Sequence, residues 1–175
     1  MRLFVAVPIP VELRNKLGEK SEELTQDGIR LVDPKNMHIT LRFLGEVPDE
    51  KEIVEKLRRV KFEKISCTMK GVGAFPNQNH VKVIWAGIES KEKLENLAAK
   101  VNAALEGFPG DERFSAHITI ARVRKRIDLK NFIEKNCGEF GKFEVDSFEL
   151  IKSTLLPQGP EYSVVEKFHA DDIDA

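Results

Sequence analysis

Met37-His38-Ile39-Thr40-Leu41-Arg42-Phe43-Leu44 and Ala116-His117-Ile118-Thr119-Ile120-Ala121 are the two stretches on which the reading of this chain turns. Each alternates apolar and polar side chains with period two, the mark of a half-buried strand. In the first, Met37, Ile39, Leu41 and Phe43 take the core face, and His38, Thr40 and Arg42 take the other. In the second, Ile118 and Ile120 point inward while His117 and Thr119 point outward. Each strand therefore offers one imidazole and one hydroxyl, two residues apart, on its polar side.

The sequence around them alternates helices and short strands. Arg2 to Val7 reads as a buried strand, followed by a helix opened by Pro8 and Pro10 with Leu13 and Leu17 on one face. A second helix begins at Pro48-Asp49-Glu50, with acids in its first turn and Lys56, Arg58 and Arg59 in its last, matching the helix dipole. Strands are expected over about 65–72 and 81–88, with Phe75 to Asn79 as the intervening loop. Ser90 caps a third helix carrying Leu94, Leu97, Ala98, Val101 and Leu105 inward, and Asp128 caps a short fourth one. Phe143 to Leu156 reads as one long strand whose apolar parity shifts, predicting a bulge near Asp146-Ser147. Tyr162 to Phe168 forms a last strand, and the acidic tail beyond it is expected to fray. Strands joined by short turns, mixed with helices, specify an α+β fold with largely antiparallel sheet.

If the two histidine strands lie close together, a chemistry follows. Two imidazoles flanking one point serve as general base and general acid, since an unperturbed pKa of about 6.5 suits both roles. Two threonine hydroxyls between them can donate hydrogen bonds to anionic oxygens. A phosphodiester fits that arrangement. A single His-x-Thr in a strand would mean little, because β-branched threonine favours strands anyway. Two copies with matching parity carry the argument. Each strand offers one histidine with no Asp, Glu or Cys at ligand spacing, which argues against a metal. There is no serine or cysteine nucleophile motif and no glycine-rich phosphate loop.

Composition sets the outer bounds. The 175 residues fit one domain, and 33% of them are charged, above the roughly 25% of ordinary soluble domains. Many Lys and Glu, with glutamine only at positions 26, 78 and 158, is a pattern reported for heat-adapted proteins. Formal net charge is −1, so a polyanion must be met by a local patch. The candidate is the run Arg122, Arg124, Lys125 and Arg126, which also reads as a solvated strand end. Cys67 and Cys137 show neither metal nor disulfide spacing and read as reduced, partly buried thiols. No segment approaches the ~20 apolar residues of a membrane span, and a cytoplasmic protein, by default a monomer, is expected. His80 and His169 read as surface residues, Phe75 and Trp85 as core, and Tyr162, just after a turn, stays open.

The segments Arg2-Leu3-Phe4-Val5-Ala6-Val7, His38 to Gly45, Trp85-Ala86-Gly87 and Phe114 to Arg122 keep the order and spacing of a known family, as do Ser153-x-Leu155 and Gly159-Pro160-Glu161-Tyr162. The chain resembles the RNA 2′,3′-cyclic phosphodiesterases, also called 2′-5′ RNA ligases, of the two-histidine phosphoesterase superfamily. The resemblance implies a LigT-like fold: one bilobal, pseudo-twofold domain over 1–175. In it, two largely antiparallel sheets form a central cleft and helices cover the outer faces. It implies hydrolysis of an RNA 2′,3′-cyclic phosphate end to a 2′-phosphomonoester, with transfer-RNA fragments as a family-based substrate. The same site run backwards would make a 2′-5′ linkage. His117 would be the proton acceptor that activates water, His38 the proton donor to the departing 3′ oxygen, and Thr40 and Thr119 the phosphate binders. No metal or nucleotide cofactor is implied. Arg122 is the family's phosphate-side cation, although strict alternation from His117 turns it away unless a twist or bulge intervenes. Arg42 has the right parity and is the second candidate. Arg124, Lys125, Arg126 and Tyr162 are further substrate-binding candidates. Where the family often has proline before the second histidine, this chain has Ala116. Two other readings remain: a module that binds RNA ends without turnover, and a related phosphodiesterase acting on small cyclic or 2′-5′ linked nucleotides.

Overall fold

The period-two stretches become strands of two antiparallel sheets in the computed structural model, which describes residues 1–171. In chain order the elements are β1 (Arg2–Pro8), α1 (Val11–Ser21), β2 (Ile29–Leu31), β3 (His38–Glu46), α2 (Lys51–Leu57), β4 (Ile65–Asn77), β5 (His80–Glu89), α3 (Lys93–Ala104), β6 (His117–Val123), α4 (Lys130–Lys135), β7 (Glu139–Val145), β8 (Ser147–Leu156) and β9 (Gly159–His169). One sheet has the order β3-β1-β8-β9 and the other β2-β6-β5-β4-β7. Apart from the added edge strand β2, the sheets correspond: each histidine strand pairs with one neighbour and then with two more strands beyond it.

The helices lock the halves together. α1, which follows β1, packs against β6, and α3, which precedes β6, packs against β3. A shared core runs through Val5, Ile39, Leu41, Ile84, Leu97, Val101, Ile118 and Ile120, all nearly inaccessible. The N-cap of α3 is Glu92 and not Ser90, but the Ser90 Oγ, two residues earlier, still accepts a hydrogen bond from the Leu94 amide at 3.0 Å, satisfying one of the unpaired donors of the first turn.

Two further expectations are corrected. The segment from Phe143 to Leu156 is not one bulged strand. β7 lies at the edge of the five-stranded sheet, β8 lies between β1 and β9, and the chain crosses from one sheet to the other at Asp146. The parity shift in the sequence marks this crossing, because Val145 and Phe148 enter the core from different sheets. β4 extends through Phe75 to Asn77, so Phe75 belongs to a strand and not to a loop; the turn is tightened by the Asn77 Oδ1, which accepts from the Asn79 and His80 amides. After β9, Ala170 and Asp171 are tied by backbone hydrogen bonds to Asp146 and Phe62; the rest of the acidic tail, residues 172–175, lies outside the described residues. Cys67 is buried and Cys137 exposed.

The strands β3 and β6 share one further feature. In β3 the pairing with β1 skips Leu41, so that Thr40 faces Ala6 and Arg42 faces Val5. In β6 the pairing with β5 skips Ile120, so that Thr119 faces Trp85 and Ala121 faces Ile84. Each bulge lies three residues past the histidine and inverts the alternation beyond it. Arg42 and Ala121 consequently turn into the core, and Phe43 and Arg122 turn out to the face that carries the histidines.

Candidate active site

His38, Thr40, His117 and Thr119 all line one cleft of about 1490 Å³ between the sheets, together with Phe43, Phe75, Arg122 and Tyr162. β3 and β6 come from different sheets but pack against each other, which is what brings residues far apart in sequence to one place. His38 is backed by Phe4, part of a small buried apolar cluster with Ala6 and Ile151 against which Tyr162 packs.

Both imidazoles are held by aromatic rings. His38 stacks on Phe4 with ring centres 4.8 Å apart, and the edge of Tyr162 meets it at 5.4 Å. His117 meets the edge of Phe75 at 5.0 Å, with Trp85 behind at 6.5 Å. Trp85 in turn lies over Gly73, where any Cβ would stand 2.4 Å from the indole. Phe75 and Trp85, expected in the core, instead form the wall beside His117. Their place was legible from β5, where inward Ile84 and Ala86 put Trp85 on the histidine side.

Backbone carbonyls orient the rings. His117 Nδ1 lies 2.7 Å from the Ser115 carbonyl oxygen. Because a carbonyl only accepts, Nδ1 carries the proton and Nε2 is left with its lone pair for chemistry. A backbone hydrogen bond with Asn36, again two residues upstream, acts on His38. Burial is the main cause that pushes the His38 pKa down, to about 4; the Asn36 bond opposes this, and the nearby His117 and Arg122 add to it. Burial also lowers the His117 pKa, against the raising effect of the Ser115 bond. At neutral pH both rings thus favour the uncharged form. An anion beside an imidazole favours its protonated form and so opposes this shift.

The two candidate arginines separate cleanly. Arg122 is exposed on the cleft, and its charge reaches both His38 and Tyr162. Arg42, expected beside His38 and Thr40, is instead buried. Its Nη2 donates to the Phe108 and Pro109 carbonyls at 2.7 and 3.1 Å, and its Nη1 to Asn102 at 3.2 Å and Glu112 at 3.4 Å. It fastens the segment between α3 and β6. The bulge at Leu41 is the cause, and the same bulge makes Phe43, expected in the core, an exposed ring at 53%. Arg124, Lys125 and Arg126 are exposed just past β6, outside the cleft lining; the stem of Lys125 covers Gly28. Arg30, on β2, was not singled out from the sequence, yet it also lines the cleft. Among the described residues no three His, Cys, Asp or Glu side chains gather as a metal site would require, and no helix is long and apolar enough to cross a membrane.

Comparison with known proteins points to a single family. The model of the family described as LigT like Phosphoesterase matches residues 7–85 and 88–162. An RNA 2′,3′-cyclic phosphodiesterase of Archaeoglobus fulgidus is 41% identical over 96% of this chain and 99% of its own. One of Thermotoga maritima is 38% identical over 94% and 93%. A crystal structure from Thermus thermophilus superposes with a TM-score of 0.81 at 33% identity, covering 97% of both chains. That of Escherichia coli LigT complexed with 3′-AMP gives 0.79 at 25% identity over 98% of both.

Proposed function

The chain belongs to the LigT-like phosphoesterase family, and from that premise and the cleft geometry we propose that it hydrolyses 2′,3′-cyclic phosphate ends of RNA to 2′-phosphomonoesters. The observation that carries this is the convergence of His38, Thr40, His117, Thr119 and Arg122 on one cleft.

Water approaches phosphorus opposite the 3′ oxygen. His117 Nε2 takes a proton from that water as the new P–O bond forms. The P–O3′ bond breaks, and protonated His38 delivers its proton to the 3′ oxygen, leaving a 3′-hydroxyl and a 2′-phosphate. Thr40 and Thr119 donate hydrogen bonds to the non-bridging oxygens, and Arg122 neutralises their charge. The exposed Phe43 ring, beside Phe4 at 6.0 Å, is an apolar face for the terminal base. A 5′-hydroxyl in place of water would give a 2′-5′ linkage by the same two proton transfers. Transfer-RNA fragments as substrate accompany this reading from the family resemblance, and a cytoplasmic monomer is taken as the working form.

The test is a short RNA with a 2′,3′-cyclic end, incubated with wild type and with His38→Ala and His117→Ala. Wild type should release a 2′-phosphate, and each variant should fall by at least about a hundredfold. A 3′-phosphate product, or turnover surviving in both variants, would overturn the assignment.

A further inference from the structure

Arg30 and Arg122 are directly paired across the antiparallel strands β2 and β6. Both are exposed and both line the cleft. Neither takes part in an ion pair among the described residues. Like charges facing each other across a strand pair are unfavourable, so this pair concentrates positive charge with no carboxylate in ion-pair contact. The Arg30 guanidinium is also aimed. Its Nη2 donates to the Gln158 carbonyl oxygen at 2.9 Å, on the turn between β8 and β9 in the other sheet. Gly159 makes room for it: a Cβ there would stand 2.7 Å from Nη2. The guanidinium thus bridges the two sheets at the cleft, with its remaining N–H groups able to donate.

The row across the sheet gives the direction. Phe75 pairs with Val83, Val83 with Arg122, and Arg122 with Arg30. This row runs from the aromatic wall beside His117 to the edge strand β2, where a polymer must leave the cleft. Past Arg122, β6 runs out into exposed Arg124, Lys125 and Arg126, and the Arg124 amide is bonded to Gly28 on the approach to β2.

We infer that Arg30 binds the phosphodiester on the 5′ side of the terminal nucleotide, making this protein selective for RNA of two or more nucleotides over a mononucleotide cyclic phosphate. This rests on the proposed function, since it places the terminal cyclic phosphate at the two histidines. Arg122 then faces the reacting phosphate and Arg30 the next one, and the like-charged pair is relieved by a substrate carrying two anions in succession. Glu19, Glu22, Asp33 and Glu161 also line the cleft, so the path of an anionic chain is confined to the row that carries Arg122 and Arg30.

The experiment compares a nucleoside 2′,3′-cyclic phosphate lacking a 5′-phosphate with a tetranucleotide bearing the same cyclic end. Wild type, Arg30→Gln and Arg30→Lys are used. Glutamine keeps a donor for the Gln158 carbonyl but removes the charge; lysine keeps the charge. The ratio of kcat/KM for tetranucleotide over mononucleotide should fall about tenfold in R30Q and recover in large part in R30K. The salt dependence of tetranucleotide kcat/KM should flatten by roughly 0.7 in log–log slope in R30Q. Equal losses on both substrates, or no loss on either, would overturn the inference and leave Arg30 as a tie between the sheets. Fluorescence anisotropy of a labelled tetranucleotide ending in 2′-phosphate reads the same contact without turnover. Binding weakened about tenfold by R30Q with no hydrolysis by wild type would sustain the phosphate contact and defeat the proposed reaction; hydrolysis with an unmoved ratio would do the opposite.

Discussion

Replacing Arg42 and Arg122 in turn by methionine should separate stability from turnover, because the bulges in β3 and β6 send these two guanidiniums to opposite sides of their strands. Arg42 has a wholly inaccessible side chain and donates to two backbone carbonyls, an asparagine and a glutamate. Methionine fills much of the volume of the stem but leaves the Phe108 and Pro109 carbonyls without that donor. Each lost charge-assisted bond is worth about 1.5–3 kcal/mol. Part of that sum is returned because a buried guanidinium no longer has to be desolvated. A net loss of about 3 kcal/mol is expected, which for 175 residues lowers Tm by roughly 6–12 °C at 2–4 °C per kcal/mol. Well below that Tm, kcat/KM on a cyclic-ended RNA should stay within about threefold of wild type. Arg122→Met should behave inversely, with Tm moved by no more than about 2 °C and kcat/KM down by roughly a hundredfold or more. Differential scanning fluorimetry and initial rates on the two purified variants measure all four quantities. A stable Arg42→Met protein with abolished turnover would refute the bulge argument, as would an active Arg122→Met protein that melts early.

Four other outcomes can be checked with the same materials. In the fold His38 titrates near 4, below its unfolded 6.5, so its contribution is whole above pH 6.5 and is lost as pH falls towards 4. His38→Gln should therefore cut the loss of unfolding free energy between pH 7 and 4 by at most about 3 kcal/mol, measured by urea titration at both pH values, and an unchanged loss would deny the burial of the imidazole. For the same reason kcat/KM, which reports the free enzyme, should show an acid limb near 4 and an alkaline limb below 6.5; an optimum above pH 8 would exclude histidines as the titrating pair. Phe43→Ala should raise KM for RNA about tenfold with little change in kcat if the ring supports the terminal base, and incubation with a chelator should leave the rate unaltered, because each step is assigned to imidazole, hydroxyl or guanidinium groups.

The local pattern was enough to identify both histidine strands, the faces of His38, Thr40, His117 and Thr119 and the α+β class, because period-two burial is a property of neighbouring residues. The repeated His-x-Thr, with its family resemblance, pointed to the reaction before any contact was known. What the sequence misplaced lies past the bulges or past a change of sheet. Alternation carried through Leu41 put Arg42 in the site and Phe43 in the core, and the register with β1 inverted both. The same step in β6 turned Arg122 outward. Arg30 gained its position only from pairing with β6 and from a turn in the other sheet. Side-chain facing follows from local chemistry as long as the ladder is regular. A skipped residue is decided by how two distant strands fit together, and no single strand carries that information.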